Sequence, residues 1–294
     1  ARHSTRPFAR FEWMLAGRYL RSRRRDAGVS VIAGFSFLGI MLGVAALIIV
    51  MSVMNGFRGE LLTRILGVNG HVVMYPIDRP LDDFSDVTAA VETVPGVAFA
   101  MPLVQGQVLA SGLASSSTGA LVKGVRGEDL ADLKPVSENI KQGTLDGFSE
   151  GGGLAIGSRL AEALGLRLGD NITLVSPDGD VTPLGTTPRV KAYPVAAIFE
   201  IGLSEYDASY VYMPLAEAQL FFNHEGLAQS VEIFVDDPDR VQDLQRTIET
   251  AAGRPNYTVT WQTQNQSFFS ALEVERNVMF IILTLIVLVA ALNI

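Results

Sequence analysis

Two stretches of the 294-residue chain break with the rest: no Asp, Glu, Lys or Arg occurs at residues 27–57, and none at 277–294. A membrane helix needs about 20 mostly apolar residues to cross roughly 30 Å of hydrocarbon, and the first stretch exceeds that. Its polar members are only Ser30, Ser36, Ser52 and Asn55, whereas a helix on a soluble core keeps a polar stripe along one side. Residues 28–57 are therefore predicted to span a membrane. The apolar tract is too long for the roughly 7 to 15 residues of a signal-peptide core, and no small-residue cleavage site closes it. Residues 273–294 have the same character and read as the start of a second span, truncated by the end of the chain.

Ahead of the first span, Phe8, Phe11, Leu15 and Tyr19 recur at helical spacing with arginines on the other faces and Trp13 at the apolar edge. Residues 1–27 are predicted to form a helix lying on the membrane surface. Inside the span, Gly39 and Gly43 stand at GxxxG spacing, which permits close helix packing.

Residues 58–272 change to the pattern of an aqueous domain. Alternating apolar positions predict strands at 71–75, 98–104, 107–111 and 119–125, with a helix at 85–93 ended by Pro95-Gly96. A second group repeats this: a strand at 231–235, a helix at 238–252 and a strand at 257–261. The two strand-helix-strand groups, 58–138 and 228–261, can share one sheet with helices on a single face. Residues 139–227 then read as an inserted β-rich subdomain, with strands at 154–156, 171–175, 190–199 and 209–213 and helices at 158–164 and 214–222. Within it, 176–190 (SPDGDVTPLGTTPRV) is dense in Pro, Gly, Asp and Thr between two strand-like runs and reads as a protruding hairpin. No Pro or Gly occurs from Gln262 onward, which predicts one unbroken helix from the domain into the second span. The fold class is a membrane protein with α+β character: transmembrane helices flanking a mixed α/β domain.

Composition agrees with a chain partly in lipid and partly in water: 48% of residues are hydrophobic and the mean hydropathy is +0.29. The net charge is −8, yet residues 1–25 carry eight arginines against the single Glu12. Arginines flanking a first span hold that side in the cytoplasm, which places the domain on the far side. Abutting a span, they suit anionic lipid headgroups rather than nucleic acid. With no cysteine in the chain, disulfides, thiolate metal sites and cysteine nucleophiles are excluded.

Candidate chemistry is sparse. His3, His71 and His224 sit in separate segments without carboxylates at metal-ligand spacing, so no metal site is expected. There is no nucleophile elbow, P-loop or GxGxxG turn, and Gly151 to Gly153 reads as a flexible turn. The pairs Asp82-Asp83 and Asp236-Asp237 read as solvated loop charge. No catalytic residue is assigned, and the chain is expected not to be an enzyme. The residues alone leave a transporter subunit and a receptor both open.

The chain resembles the LolC/LolE family of lipoprotein-releasing permeases, within the wider FtsX-like and MacB-like group of ABC transporter membrane subunits. The resemblance rests on GRYLRSRRR (17–25), GIMLGVAAL (39–47), VMSVMNGFRGEL (50–61), ILG (65–67), TPLG (182–185), FVDDP (234–238) and VERNVMFIILTLIVLVAALNI (274–294). It implies a dimer of four-span subunits in the bacterial inner membrane, the second being identical or paralogous. A cytoplasmic ATPase pair would act on the dimer, holding ATP and magnesium that this chain itself does not hold. It further implies that a triacylated lipoprotein passes from the outer leaflet to a soluble periplasmic carrier. In the LolC branch a hairpin tip of the form Pro-apolar-Gly hooks that carrier, which Pro183, Leu184 and Gly185 match. Basic residues help seat it there. Arg189 and Lys191 can serve, while Thr173 and Val190 depart from the polar or basic groups of that branch. Acyl chains would lie against Ala46, Val50, Met54 and Phe57, spaced along one side of the first span, and the adaptable Met54 suits varied cargo. Packing against a neighbouring helix would use the same four residues. An efflux or cell-division permease of the wider group and a two-span sensor are the alternatives.

Overall fold

The computed structural model describes residues 10–21, 27–114, 116–151, 153–182 and 185–292. The chain divides into two compact units: Ala1–Phe57 with Phe268–Ile294, and Arg58–Ser267.

In the first unit, α1 covers Arg10–Arg21 and α2 covers Ala27–Leu66, running nine residues past the unit's edge. Forty residues without proline sustain an uninterrupted helix. Its stretch Phe37–Gly56 is long and apolar enough to cross a membrane, and none of it is buried. Phe11, Trp13, Met14 and Leu15 of α1 are also exposed. Exposed apolar side chains in this number mark a surface suited to lipid or to another protein.

The second unit opens with β1 (Val72–Pro76), α3 (Phe84–Glu92), β2 (Val97–Ser111) and β3 (Ser117–Val125). Short helices α4 (Gly127–Asp132) and α5 (Lys134–Ser137) follow, with β4 (Ile140–Gly143), β5 (Leu154–Gly157) and α6 (Ser158–Leu164). Next come β6 (Asn171–Thr182), β7 (Gly185–Phe199), α7 (Ser204–Ser209), β8 (Tyr210–Pro214) and α8 (Leu215–Phe221). The unit ends with β9 (Ser230–Val235), α9 (Val241–Ala251), β10 (Asn256–Thr260) and α10 (Trp261–Gln264). Finally α11 covers Gln266–Leu292.

Four strands in the order β10-β1-β9-β2 form an antiparallel sheet, onto which α3 and α9 pack side by side. This is the arrangement expected of the two strand-helix-strand groups. The helix expected at 238–252 starts as a 3₁₀ turn over Pro238–Arg240, capped by Asp237, before α9 begins.

The segment 139–227 does not stand as a subdomain by itself. Strand β2 is one continuous strand rather than two, and leaves the sheet to pair with β3 along Val104–Ser111. From there β3 pairs β8, β8 pairs β5, β5 pairs β7, β7 pairs β6, and β6 returns to β2 at Leu109–Ser111. Six strands thus close into a ring, which removes exposed edges. Its interior holds Val108, Ala110, Val122, Leu154, Ile156, Ile172, Leu174 and Val211, with α6 and α8 contributing Leu160, Leu164 and Phe221. Gly106 lets β2 pass straight through its expected break, because a Cβ there would collide with the Phe222 ring. A second core lies outside the ring, where Met101, Leu103, Val125, Phe199, Tyr212 and Phe234 pack with Leu130, Leu133 and Phe148.

The helix expected to run unbroken from Gln262 is interrupted at Asn265, whose side-chain amide donates to the Trp261 carbonyl (2.8 Å). This asparagine competes with the helix ladder for a main-chain acceptor. Within α11 the apolar stretch among the described residues is Asn277–Ile286, shorter than a span.

Candidate functional site

Three places bear on function: the apolar face of α2, the connector that follows it, and the β6–β7 hairpin. On α2, Ala46, Val50 and Met54 recur every four residues and so share one side, with Ala46 and Val50 exposed and Met54 half-buried. The side chain of Phe57 lies outside the described residues. Of the two glycines at GxxxG spacing, only Gly43 approaches α11: a Cβ there would be 3.8 Å from Ile286 Cδ1, whereas Gly39 faces open space.

The connector Gly67–His71 joins α2 to β1 and is fastened by neutral groups. His71 is buried; its Nε2–H donates to the carbonyl of Leu66, the last residue of α2 (3.2 Å), and its Nδ1 accepts from the Val235 amide (2.9 Å). The two bonds together fix the tautomer. Burial holds the imidazole below its ordinary pKa, although both main-chain bonds oppose that. Asn69 donates to the Tyr206 hydroxyl (3.0 Å) and accepts from the Tyr210 hydroxyl (3.2 Å). Gly70 packs so closely on Glu232 that a Cβ would sit 2.8 Å from the Glu232 Cβ. Glu232 is paired with Lys123 through both carboxylate oxygens (2.9 and 3.1 Å), their side chains being 6% and 2% exposed. The exit strand lies alongside: β10 pairs with β1, Val72 opposite Thr260, and the Trp261 amide donates to the His71 carbonyl (2.9 Å). Both chain segments that lead to the apolar helices are thus seated on neighbouring strands.

The hairpin projects beyond the ring. Its strands pair from Asn171 opposite Pro194 to Thr182 opposite Gly185, with an irregularity between Ser176 and Asp180. Gly185 is thus the first residue of β7; Pro183 and Leu184 lie outside the described residues. Arg189 and Lys191, though partly exposed, are both bonded to other groups of the domain. Arg189 donates to the carbonyls of Leu220 and Phe221 (3.2 Å for the latter) and to Asn223 Oδ1 (2.7 Å), closing the C-terminal end of α8. Lys191 pairs with Glu217 (2.6 Å), which also accepts from the Tyr193 hydroxyl (2.7 Å), and lies 5.1 Å from the Tyr193 ring centre. Both brace the hairpin base on α8. Val190, between them, is 61% exposed, and Thr173 half-buried.

Sequence reasoning passed over the connector and the Lys123–Glu232 pair. The signal was present: Lys123 and Glu232 are lone charges in otherwise apolar strand runs, GALVKGV and SVEIFV. A charge on the buried side of a central strand calls for a partner.

The family described as MacB-like periplasmic core domain matches residues 33–251. The chain is 33% identical over 94% of its length to the lipoprotein-releasing system transmembrane protein LolC of Neisseria meningitidis, covering 67% of that protein. It is 28% identical over 96% of its length to LolE of Haemophilus influenzae, covering 68%. It thus spans about two thirds of the length of these curated relatives. The periplasmic region of MacB from Actinobacillus actinomycetemcomitans aligns with 71% of this chain and 97% of its own, at 12% identity and TM-score 0.43.

Proposed function

Because the chain belongs to the LolC/LolE family of lipoprotein-releasing transmembrane proteins and carries a MacB-like periplasmic core domain, we propose that it is a membrane subunit of an ABC transporter. That transporter extracts lipoproteins from the inner membrane and passes them to a soluble periplasmic carrier. The observation that carries this is 33% identity to LolC over 94% of the chain.

Arginines before α2 keep the N-terminus in the cytoplasm and the ringed domain in the periplasm. The protein is multi-pass and works beside a second permease subunit. ATP and magnesium belong to a separate ATPase, so the chain's own residues bind and move cargo without making or breaking covalent bonds. Ala46, Val50, Met54 and Phe57 contact acyl chains. Pro183, Leu184 and Gly185 engage the carrier. Arg189 and Lys191 serve that contact by holding the hairpin base rigid, since their charges are already bonded to α8. A preorganised hairpin binds with less ordering cost.

Replacing Pro183 and Leu184 with Glu and crosslinking the carrier from Gly185→Cys tests this. The proposal expects the crosslink to be lost while lipoprotein crosslinking from Met54→Cys persists. Undiminished carrier crosslinking in the Glu variant would refute the hairpin assignment.

A further inference from the structure

A cavity of about 730 Å³ opens on the outer face of the ring, between strands β2, β3 and β6 and helix α7. This is the size range of ligand sites. Its apolar wall is Leu109, Leu121 and Val175, positions that alternate outward from the ring's filled interior. Leu109 is 48% exposed. The opposite wall is Tyr206 and Tyr210, their rings stacked 4.6 Å apart. Glu205 stands at the rim and is the one charged residue among the described residues lining the cavity. Among the described residues it has no ion-pair partner.

The tyrosine wall is bonded to the membrane connector. Both hydroxyls meet Asn69, three residues past the end of α2. Anything that packs against these rings therefore packs against groups held in register with the connector. Its occupant needs an apolar body to cover Leu109 and Leu121 and a cation to meet Glu205. A peptide segment that carries an apolar side chain beside a basic one meets both requirements.

The geometry points to a binding site for the cargo's own polypeptide: an extended stretch with an apolar residue beside a basic one, the apolar residue on Leu109 and Leu121 and the basic one on Glu205. This rests on the reading of the chain as a lipoprotein-releasing subunit. In that reading the cargo's lipid anchor is held at α2 and its polypeptide lies on the periplasmic side, where the outer domain is. The site adds recognition of the polypeptide to recognition of the acyl chains.

With no cysteine in these 294 residues, and any cysteine elsewhere in the transporter replaced by Ser, a single benzophenone-maleimide label goes at Leu109→Cys or, separately, at Met54→Cys. Each is placed in the complete transporter in nanodiscs, with a lipoprotein whose leading residues pair Leu with Lys. Adducts with cargo are expected from both positions. Glu205→Lys should lower the Leu109→Cys adduct about tenfold, as expected for turning an attraction into a repulsion, and leave the Met54→Cys adduct unchanged. Exchanging the cargo lysine for Glu should restore it. The inference is overturned by a Met54→Cys adduct with none at Leu109→Cys, by indifference to Glu205→Lys, or by an adduct with the carrier in place of cargo. Failure at both positions would instead remove the lipoprotein reading beneath it.

Discussion

The connector after α2 and the base of the β6–β7 hairpin are both fastened by side chains that bond main-chain groups, but in opposite surroundings. At the connector the fastening is buried and neutral: His71 joins the Leu66 carbonyl to the Val235 amide, and Asn69 joins two tyrosines. At the hairpin it is charged and partly exposed: Arg189 on the end of α8, and Lys191 on Glu217 with side chains 51% and 24% exposed. Buried bonds are costly to lose, whereas exposed ion pairs are weak and screened by salt. The connector is thus fastened by bonds shielded from water and salt, and the hairpin base by bonds that salt can weaken.

The comparison breaks first at the ion pair behind the connector. Lys123→Met leaves Glu232 buried without a partner and should cost about 3–5 kcal/mol, read as denaturant unfolding in detergent micelles. Adding Glu232→Leu should recover most of it, because no charge then remains buried. His71→Ala removes two main-chain bonds and should cost roughly 1–3 kcal/mol. Hydrogen exchange at the Val235 amide should rise more than at the hairpin amides.

The same histidine gives a pH signature. Its folded pKa lies below the ordinary value of about 6.5, so the unfolded chain takes up the proton first as pH falls. Stability is fully present above about pH 6.5 and declines below it. His71→Gln should flatten that part of the profile. Smallest is the effect at the hairpin base: Lys191→Ala should change unfolding by about 0–1 kcal/mol and diminish further in high salt. A larger, salt-independent loss there would erase the contrast between the two regions.

Much of this was legible in the chain. The charge-free run 27–57 announced α2, and alternation in SVEIFV announced β9, because burial imposes its period directly on residue choice. Closure of the ring was not legible. It depends on β2 continuing through Gln105-Gly106, a pair that reads as a turn until Phe222, more than a hundred residues away, is known to need the space. The roles of Arg189 and Lys191 were hidden for the same reason, since their partners on α8 are distant in sequence and composition gives only the charge. Short elements such as α7 carry too few residues to show a period. Yet α7 supplies Glu205 and Tyr206, two groups on which the cavity depends.

The central claim, that this chain moves lipoproteins to a carrier, is tested most directly by ATP-driven release from proteoliposomes. These would contain the full-length protein, its partner subunit and the ATPase. With residues 176–190 shortened to a two-residue turn, ATP hydrolysis should continue while transfer of lipoprotein to the carrier falls at least tenfold. Undiminished transfer, or no lipoprotein release from the intact protein, would contradict the account.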